Sequence, residues 1–253
     1  HVVTRARRGA RVGRAVRRCE VTGGEGSVAE VLAGAARFAV VCGDAEDVWP
    51  TIADDAVDAT IMDPPYGIDI AEWDGDLPPQ AWLDHCLRIS RGPVLWFGAA
   101  VRVLDFVHYA PRPDRVLTWA PSFALSRSAS HGMLYRWHPI AAWRPKAEGG
   151  RVHCDVLRHP TDGRNTWNHP CTKPVKLMRD LVAAFVPMGG IVADFTAGSG
   201  ATGVGALLEG RRVILVERDP EHAATCRRRL AETVPGEGTR KAKQLGLFAA
   251  TKP

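Results

Sequence analysis

Ile191-Val192-Ala193-Asp194-Phe195-Thr196-Ala197-Gly198-Ser199-Gly200-Ala201-Thr202-Gly203 reads as an apolar strand, a glycine turn and the opening of a helix. Glycines there let backbone come close to a ligand, and a helix start presents free N–H groups at the positive end of its dipole. Val213-Ile214-Leu215-Val216-Glu217 follows as a second apolar strand ending in an acid, well placed to accept from ribose hydroxyls. Together they predict half of a nucleoside-binding sheet, with Asp194, Phe195, Thr196, Ala197, Gly198, Ser199, Gly200, Thr202 and Glu217 as candidate binding residues.

On either side of this motif the chain alternates between the two regular periods. Ser27-Val28-Ala29-Glu30 has capping-box spacing and opens a short helix through about Ala36; Phe38–Cys42 is then a strand ending at Gly43-Asp44. A strand over Val57–Met62 precedes a helix over Gln80–Arg91, which Gly92-Pro93 stops before the strand Val94–Phe97. Val175, Leu177, Met178, Leu181, Val182, Phe185 and Val186 recur at helical spacing, with Pro174 in an early turn and Pro187 and Gly189-Gly190 as the stop. Strands alternating with helices predict an α/β fold with a parallel sheet covered on both faces.

Asp63-Pro64-Pro65-Tyr66, at the end of the Val57–Met62 strand, carries the chemistry. The proline pair fixes the backbone and removes two donors, turning carbonyls toward a pocket. The Asp63 carboxylate and Pro64 carbonyl can both accept from an NH2 group, while the Tyr66 ring can stack on a flat ligand. The ligand so described is a nucleobase.

These two motifs, with His169-Pro170-Cys171-Thr172-Lys173-Pro174 just ahead of the second, resemble the DNA amino-methyltransferases that use S-adenosylmethionine (SAM). Because Asp-Pro-Pro-Tyr precedes the glycine motif, the chain looks like the permuted beta group of that family. The resemblance covers roughly residues 37 to 232 and is loose between about 110 and 165. It implies a Rossmann-like SAM-dependent methyltransferase fold, with a mostly parallel seven-stranded sheet containing one reversed strand. It further implies methyl transfer from SAM to N6 of adenine in double-stranded DNA, with Asp63, Pro64, Pro65 and Tyr66 catalytic. Asp44, Asp63, His169, Lys173 and Pro174 then join the glycine motif and Glu217 as cofactor-binding residues. Asp44 is expected against the adenine moiety of SAM and the Lys173 ammonium opposite its methionine carboxylate. The target base must leave the duplex stack, and Tyr66 can replace the lost stacking.

Cytosine-N4 methylation needs the same amine chemistry, although Ser in place of Asp63 is more usual there. A catalytically silent DNA-binding relative and a dinucleotide-binding enzyme sharing the glycine turn are the readings from other classes. Pro170-Cys171 mimics the nucleophile of cytosine-C5 enzymes but lacks their partner acid. His153, Cys154, His159, His169 and Cys171 match no standard zinc spacing, so no metal is expected.

Between residues 110 and 168 the alternation degrades. Trp119, Phe123, Tyr135, Trp137, Trp143 and Trp167 are interleaved with Arg127, Arg136, Arg144, Lys146, Arg151, Arg158 and Arg164, cations for phosphates and rings for bases. This segment is the candidate target-recognition insert of a catalytic domain spanning 26–235, although most of its tryptophans individually read as core. In the acidic loop after Tyr66, Trp73 either closes over the extruded base or simply packs.

At 253 residues and 45% hydrophobic content the chain can bury one substantial core. A formal charge of +5 favours an anionic partner. The six cysteines show no paired spacing, which predicts a reduced, cytoplasmic setting. Residues 1–25 carry Arg5, Arg7, Arg8, Arg11, Arg14, Arg17 and Arg18 before one acid, Glu20. That run reads as a disordered arm or start-site artefact, as a phosphate-neutralising arm, or as a transit peptide. In the 236–253 tail, Gln244-Leu245-Gly246-Leu247-Phe248 resembles the peptide by which replication proteins dock on the sliding clamp; folding back on the sheet is the alternative. A homodimer is an allowed assembly.

Overall fold

A computed structural model of the chain describes residues 24–69, 74–121, 126–127, 134–147, 154–161 and 172–237, with 126–127 and 134–135 as backbone. The basic arm, Trp73, Phe123, His153, Trp167, His169, Cys171 and the Gln244–Phe248 tail therefore lie outside the described residues.

Local signals form the elements expected of them. Helix α1 (Val28–Ala33) starts at Ser27, whose hydroxyl accepts from the Glu30 amide while the Glu30 carboxylate accepts from the Ser27 amide at 2.7 Å. Gly34 ends it in the left-handed region at φ 82°, where a side chain would be strained. Strand β1 (Phe38–Cys42), helix α2 (Ala45–Val48), strand β2 (Ala59–Met62), helix α3 (Gln80–Ile89) and strand β3 (Val94–Phe97) follow. After a 3-10 segment over Ala100–His108 come β4 (Arg115–Trp119), β5 (Ser126–Arg127), β6 (Leu134–Tyr135), β7 (His138–Trp143) and β8 (Val156–Leu157). Helix α4 (Val175–Phe185), strand β9 (Ile191–Asp194), helix α5 (Ala201–Leu208), strand β10 (Arg212–Glu217) and helix α6 (Pro220–Glu232) complete the order.

Among the described residues, eight strands form one sheet in the order β1-β10-β9-β2-β3-β7-β4-β8, and β5 pairs with β6 separately. All neighbours run parallel except at β7, which is antiparallel to both β3 and β4. The expected single reversed strand is present; the sheet has eight strands rather than seven, the extra one being the two-residue edge strand β8.

Alternation sorts the strand side chains onto two covered faces. Phe38, Ile61, Leu95, Val192 and Leu215 pack with α4, α5 and α6 on one side. Ala39, Met62, Trp96, Ala193 and Val216 pack with α1, α2, α3 and the 3-10 segment on the other. Apolar side chains are needed on both sides, so the strands read as continuous hydrophobic runs.

The described parts of the 110–168 segment join the sheet of the catalytic domain. They supply β7, β4 and β8, the three strands at one end of the sheet, and bury Trp119 and Trp143 at 3% and 1% exposure. Proline, arginine and aromatic residues obscured the strand period there; His138-Pro139 opens β7 even though proline normally weakens a strand.

Candidate active site

Parallel strands deliver their following loops to one edge, and the order of this sheet decides which loops meet. β2 and β9 are neighbours although separated by about 130 residues, with Ala59 opposite Val192 and Thr60 opposite Ala193. The Asp63-Pro64-Pro65-Tyr66 corner and the Phe195–Gly200 turn therefore emerge side by side. The Asp63 amide donates to Thr196 Oγ1 at 3.2 Å, joining the two motifs directly. β10 on the far side of β9 brings in Glu217, and β1 beyond it brings in Asp44.

Among the described residues, a cavity of about 600 Å³ runs along this edge. Asp44 and Glu217 line one end, Asp194 through Ser199 with Thr202 line its floor, and Asp63, Pro65 and Lys173 line the other end. Its size falls in the roughly 300–1,000 Å³ range of small-molecule sites. Pro64 and Tyr66 border a separate small hollow with Pro65, Trp96 and Phe106. Pro174 and Gly200 do not line the large cavity; they start helices α4 and α5.

The turn is held by backbone geometry and by buried side chains. Gly198 and Gly200 have φ of 53° and 81°, so the chain turns left-handed twice before α5. A Cβ on Gly200 would also meet Cys226 Sγ at 3.0 Å. Glu217 accepts from the Gly198 amide at 2.7 Å and from the Asp219 amide at 2.8 Å, bracing the turn as well as facing the cavity. Phe195 is 4% exposed and packs at 5.2 Å on the buried Trp49, so its part in the site is to seat the turn. Asp44 caps α2 by accepting from the Glu46 amide at 2.9 Å.

Asp194 is buried beneath the cavity and accepts from the Thr196 amide at 3.0 Å. Burial pushes its carboxyl up to about 7; hydrogen bonds from Thr202 and Thr196 oppose that shift. A cation entering the cavity would relieve this desolvation.

At the other end the Asp63 carboxylate is held on both oxygens. The Tyr66 hydroxyl donates to Oδ1 and the Lys173 ammonium donates to Oδ2. Lys173 is 7% exposed, and its Nζ lies 5.4 Å from the Tyr66 ring centroid and 5.3 Å from that of Phe97. The resemblance assigned this ammonium to the methionine carboxylate of SAM; in the structure its partner is Asp63.

Two residues at this end escaped the sequence reading. Asp74 is fully buried and accepts from the backbone amides of Tyr66, Gly67 (3.0 Å) and Ile68 (3.2 Å), pinning the loop that carries Tyr66. Its signal was an acid spaced for a turn after the proline pair, hidden among Asp69, Glu72 and Asp76. His138 stacks on Trp119 at 4.8 Å, and burial, then the nearby Lys173 charge, holds its imidazole down at about 4, hence neutral. Trp82, Arg218 and His222 also line the cavity unforeseen.

The reversed strand sorts the cations that the sequence grouped. Arg136 precedes β7 and Arg158 follows β8, so both lie on the catalytic edge. Arg144 and Lys146 follow the other end of β7 and lie on the opposite edge; Arg144 donates to the Leu87 carbonyl at 2.6 Å.

This sheet order, with a cleft at the carboxyl ends and an acid after each cavity-lining strand, is the Rossmann-like fold of SAM-dependent methyltransferases. Residues 128–228 match the model of the N6/N4 DNA methylase family. That stretch of the chain is thus similar to the N6/N4 DNA methylases. YubD of Escherichia coli (strain K12) is 25% identical over 213 residues, which is 75% of this chain and 88% of that protein. Two solved structures share the fold. M1.HpyAVI in complex with SAM has a TM-score of 0.60 at 17% identity, covering 76% of this chain and 100% of that one. The cytosine-N4-specific PvuII DNA methyltransferase also has a TM-score of 0.60, at 15% identity, covering 83% of this chain and 91% of that one. No helix among the described residues is long and apolar enough to cross a membrane.

Proposed function

We propose that this chain is a DNA methyltransferase that transfers the methyl group of SAM to the N6 amine of adenine. The observation that carries the reading is the single cavity joining the Glu217 end, the glycine turn and Asp63. The family match to DNA methylases supports the substrate class, and M1.HpyAVI, which shares the fold, was solved with SAM.

The residues fit such a donor. Glu217 and Asp44 offer acceptors to a nucleoside, the turn amides approach closely, and the buried Asp194 favours a neighbouring cation. SAM when bound supplies an electrophilic methyl group on a sulfonium. The chain's own residues supply position. An amine on a nucleobase has its lone pair delocalised into the ring, which makes it a poor nucleophile. Acceptance of its two protons by the Asp63 carboxylate and the Pro64 carbonyl favours a pyramidal nitrogen with its lone pair free. Asp63 also faces the positive charge that develops on that nitrogen and stabilises it without rearranging. Tyr66 borders the hollow beside the corner, and Lys173 lies over its ring; stacking on an aromatic ring is how an extruded base regains what it loses on leaving the duplex.

The Asp at position 63, rather than the Ser more usual in cytosine enzymes, favours adenine. The same grip would hold the N4 amine of cytosine, the base of the PvuII enzyme. Incubation with labelled SAM and DNA, digestion to nucleosides and identification of the modified base tests the reading. Label on N6-methyladenine is expected; label on N4-methylcytosine replaces adenine by cytosine, and no label on DNA overturns the function.

DNA would lie across the catalytic edge, where Arg136 and Arg158 sit. β8 is four strands from β2, about 19 Å at normal strand spacing, so Arg158 is a duplex-width contact rather than a base-pocket residue. The sliding-clamp reading of Gln244, Leu245, Leu247 and Phe248, and a homodimer, stand as further proposals: a tail peptide titrated against clamp and a sedimentation run test them.

A further inference from the structure

Lys173 stands on a short stretch tied to both halves of the cleft. Next to it, the Thr172 hydroxyl lies 3.2 Å from Ser199 Oγ on the glycine turn, and Ser199 also receives Arg229 Nη1 at 3.0 Å. Lys173 itself reaches Asp63 Oδ2 at the catalytic corner. Its ammonium bonds that carboxylate beside the rings of Tyr66 and Phe97, and the residue borders the cavity with only 7% of its surface exposed. Such a cation has few directions left in which to donate. Leaving this pocket for a ligand's carboxylate would strip Asp63 of its partner and expose the two ring faces.

Asp63 is held at three places. Its amide is fixed by Thr196, Oδ1 by the Tyr66 hydroxyl and Oδ2 by Lys173. The first fixes the backbone and the other two set the plane of the carboxylate. That plane decides whether the remaining lone pairs face the cavity, where an amine must present its protons. A charge-assisted bond from an immobilised cation sets such a plane more firmly than a neutral hydroxyl alone.

We propose that Lys173 is a positioning residue for methyl transfer, orienting the Asp63 carboxylate toward the acceptor amine, and that it does not bind the carboxylate end of the donor. This rests on the methyltransferase reading above. The chemistry is that of the proposed reaction and gains no step: Lys173 keeps its protons throughout, and the proton lost by the amine leaves without passing to it.

The test compares wild type with Lys173→Met and Lys173→Ala in steady-state methyl transfer, SAM affinity by calorimetry, and thermal melting. The expected result is a kcat lowered by about 100-fold, the effect of misplacing a catalytic group by about an ångström. SAM affinity should stay within about threefold, and KM for DNA should change little. In Lys173→Ala, added propylammonium should restore kcat saturably, whereas propanol of similar shape should not. A SAM affinity lowered in step with kcat/KM overturns the proposal in favour of carboxylate binding. Activity lost only in proportion to unfolded protein, with no rescue by the amine, reduces Lys173 to a packing role and also overturns it. A wild type that methylates DNA while Lys173→Met turns over normally refutes this inference alone; an inactive wild type refutes the functional reading and this inference with it.

Discussion

Asp74→Ala removes a side chain that ties down the Tyr66 loop, and its consequence follows from the bonds it makes. Asp74 accepts from three consecutive backbone amides, those of Tyr66, Gly67 and Ile68, while its own carbonyl accepts from the Asp69 amide at 3.3 Å. Hydrogen bonds to a carboxylate contribute roughly 1.5–3 kcal/mol each, which sets an upper bound of about 5–9 kcal/mol for three. Gly67 and Ile68 are only half-buried, so water can replace part of what is lost. About 2–4 kcal/mol of corner ordering should remain uncompensated, corresponding to a fall in kcat/KM of about thirty- to a thousandfold. Asp74→Asn keeps one carbonyl acceptor for Tyr66 and Gly67 and turns an NH2 toward Ile68, so it should fall between wild type and alanine. SAM affinity is the internal control, because Asp74 does not line the large cavity. Steady-state methyl transfer and calorimetry on the three proteins make the comparison. An alanine variant within twofold of wild type in kcat/KM, or one whose loss lies in SAM affinity, would refute the argument that Asp74 acts by placing Tyr66.

Other perturbations separate the parts of the site. Glu217→Ala leaves the Gly198 and Asp219 amides unanswered and removes an acceptor from the cavity, so SAM affinity should fall by about ten- to a hundredfold, with little loss in kcat at saturating SAM. A normal dissociation constant by calorimetry would contradict it. For Asp194 the folded carboxyl titrates near 7, above its unfolded value of 3.8, so the folded state holds the proton more tightly. Wild type should therefore lose stability as pH rises from about 4 through 7, by up to roughly 4 kcal/mol relative to Asp194→Asn. Urea unfolding at several pH values checks this, and parallel curves for the two proteins would dismiss the raised carboxyl. Arg158→Ala should weaken DNA binding and reduce the slope of log K against log salt by about 0.9, whereas Arg144→Ala on the opposite edge should leave that slope unchanged. Equal slope changes in both variants would show that DNA does not follow the catalytic edge.

Much of the molecule was legible because its signals are short-range. The Ser27-Glu30 capping box, the period of α4, the proline pair and the glycine turn each act over a few residues, and each produced the element or loop expected. Less legible were residues whose surroundings depend on distant partners. The strands β4 and β7 around Trp119 and Trp143 were hidden in the sequence because their pairing partners lie in β3 and in each other. The sequence neighbours of Lys173 belong to the SAM half of the motif order, while its ammonium bonds Asp63 of the other half, a contact that no short stretch contains.

The residues alone determined that this chain builds an α/β sheet with an acid-proline-proline-tyrosine corner and a glycine turn, since backbone preference and side-chain period are local properties. Only the tertiary structure decided that β2 lies beside β9, and therefore that Asp63 and Thr196 touch. The same packing gave Asp63 to Lys173, set Asp74 under the Tyr66 loop and split the arginines between two edges. Strand order and burial arise from packing the whole chain at once, and no short stretch of residues contains that information.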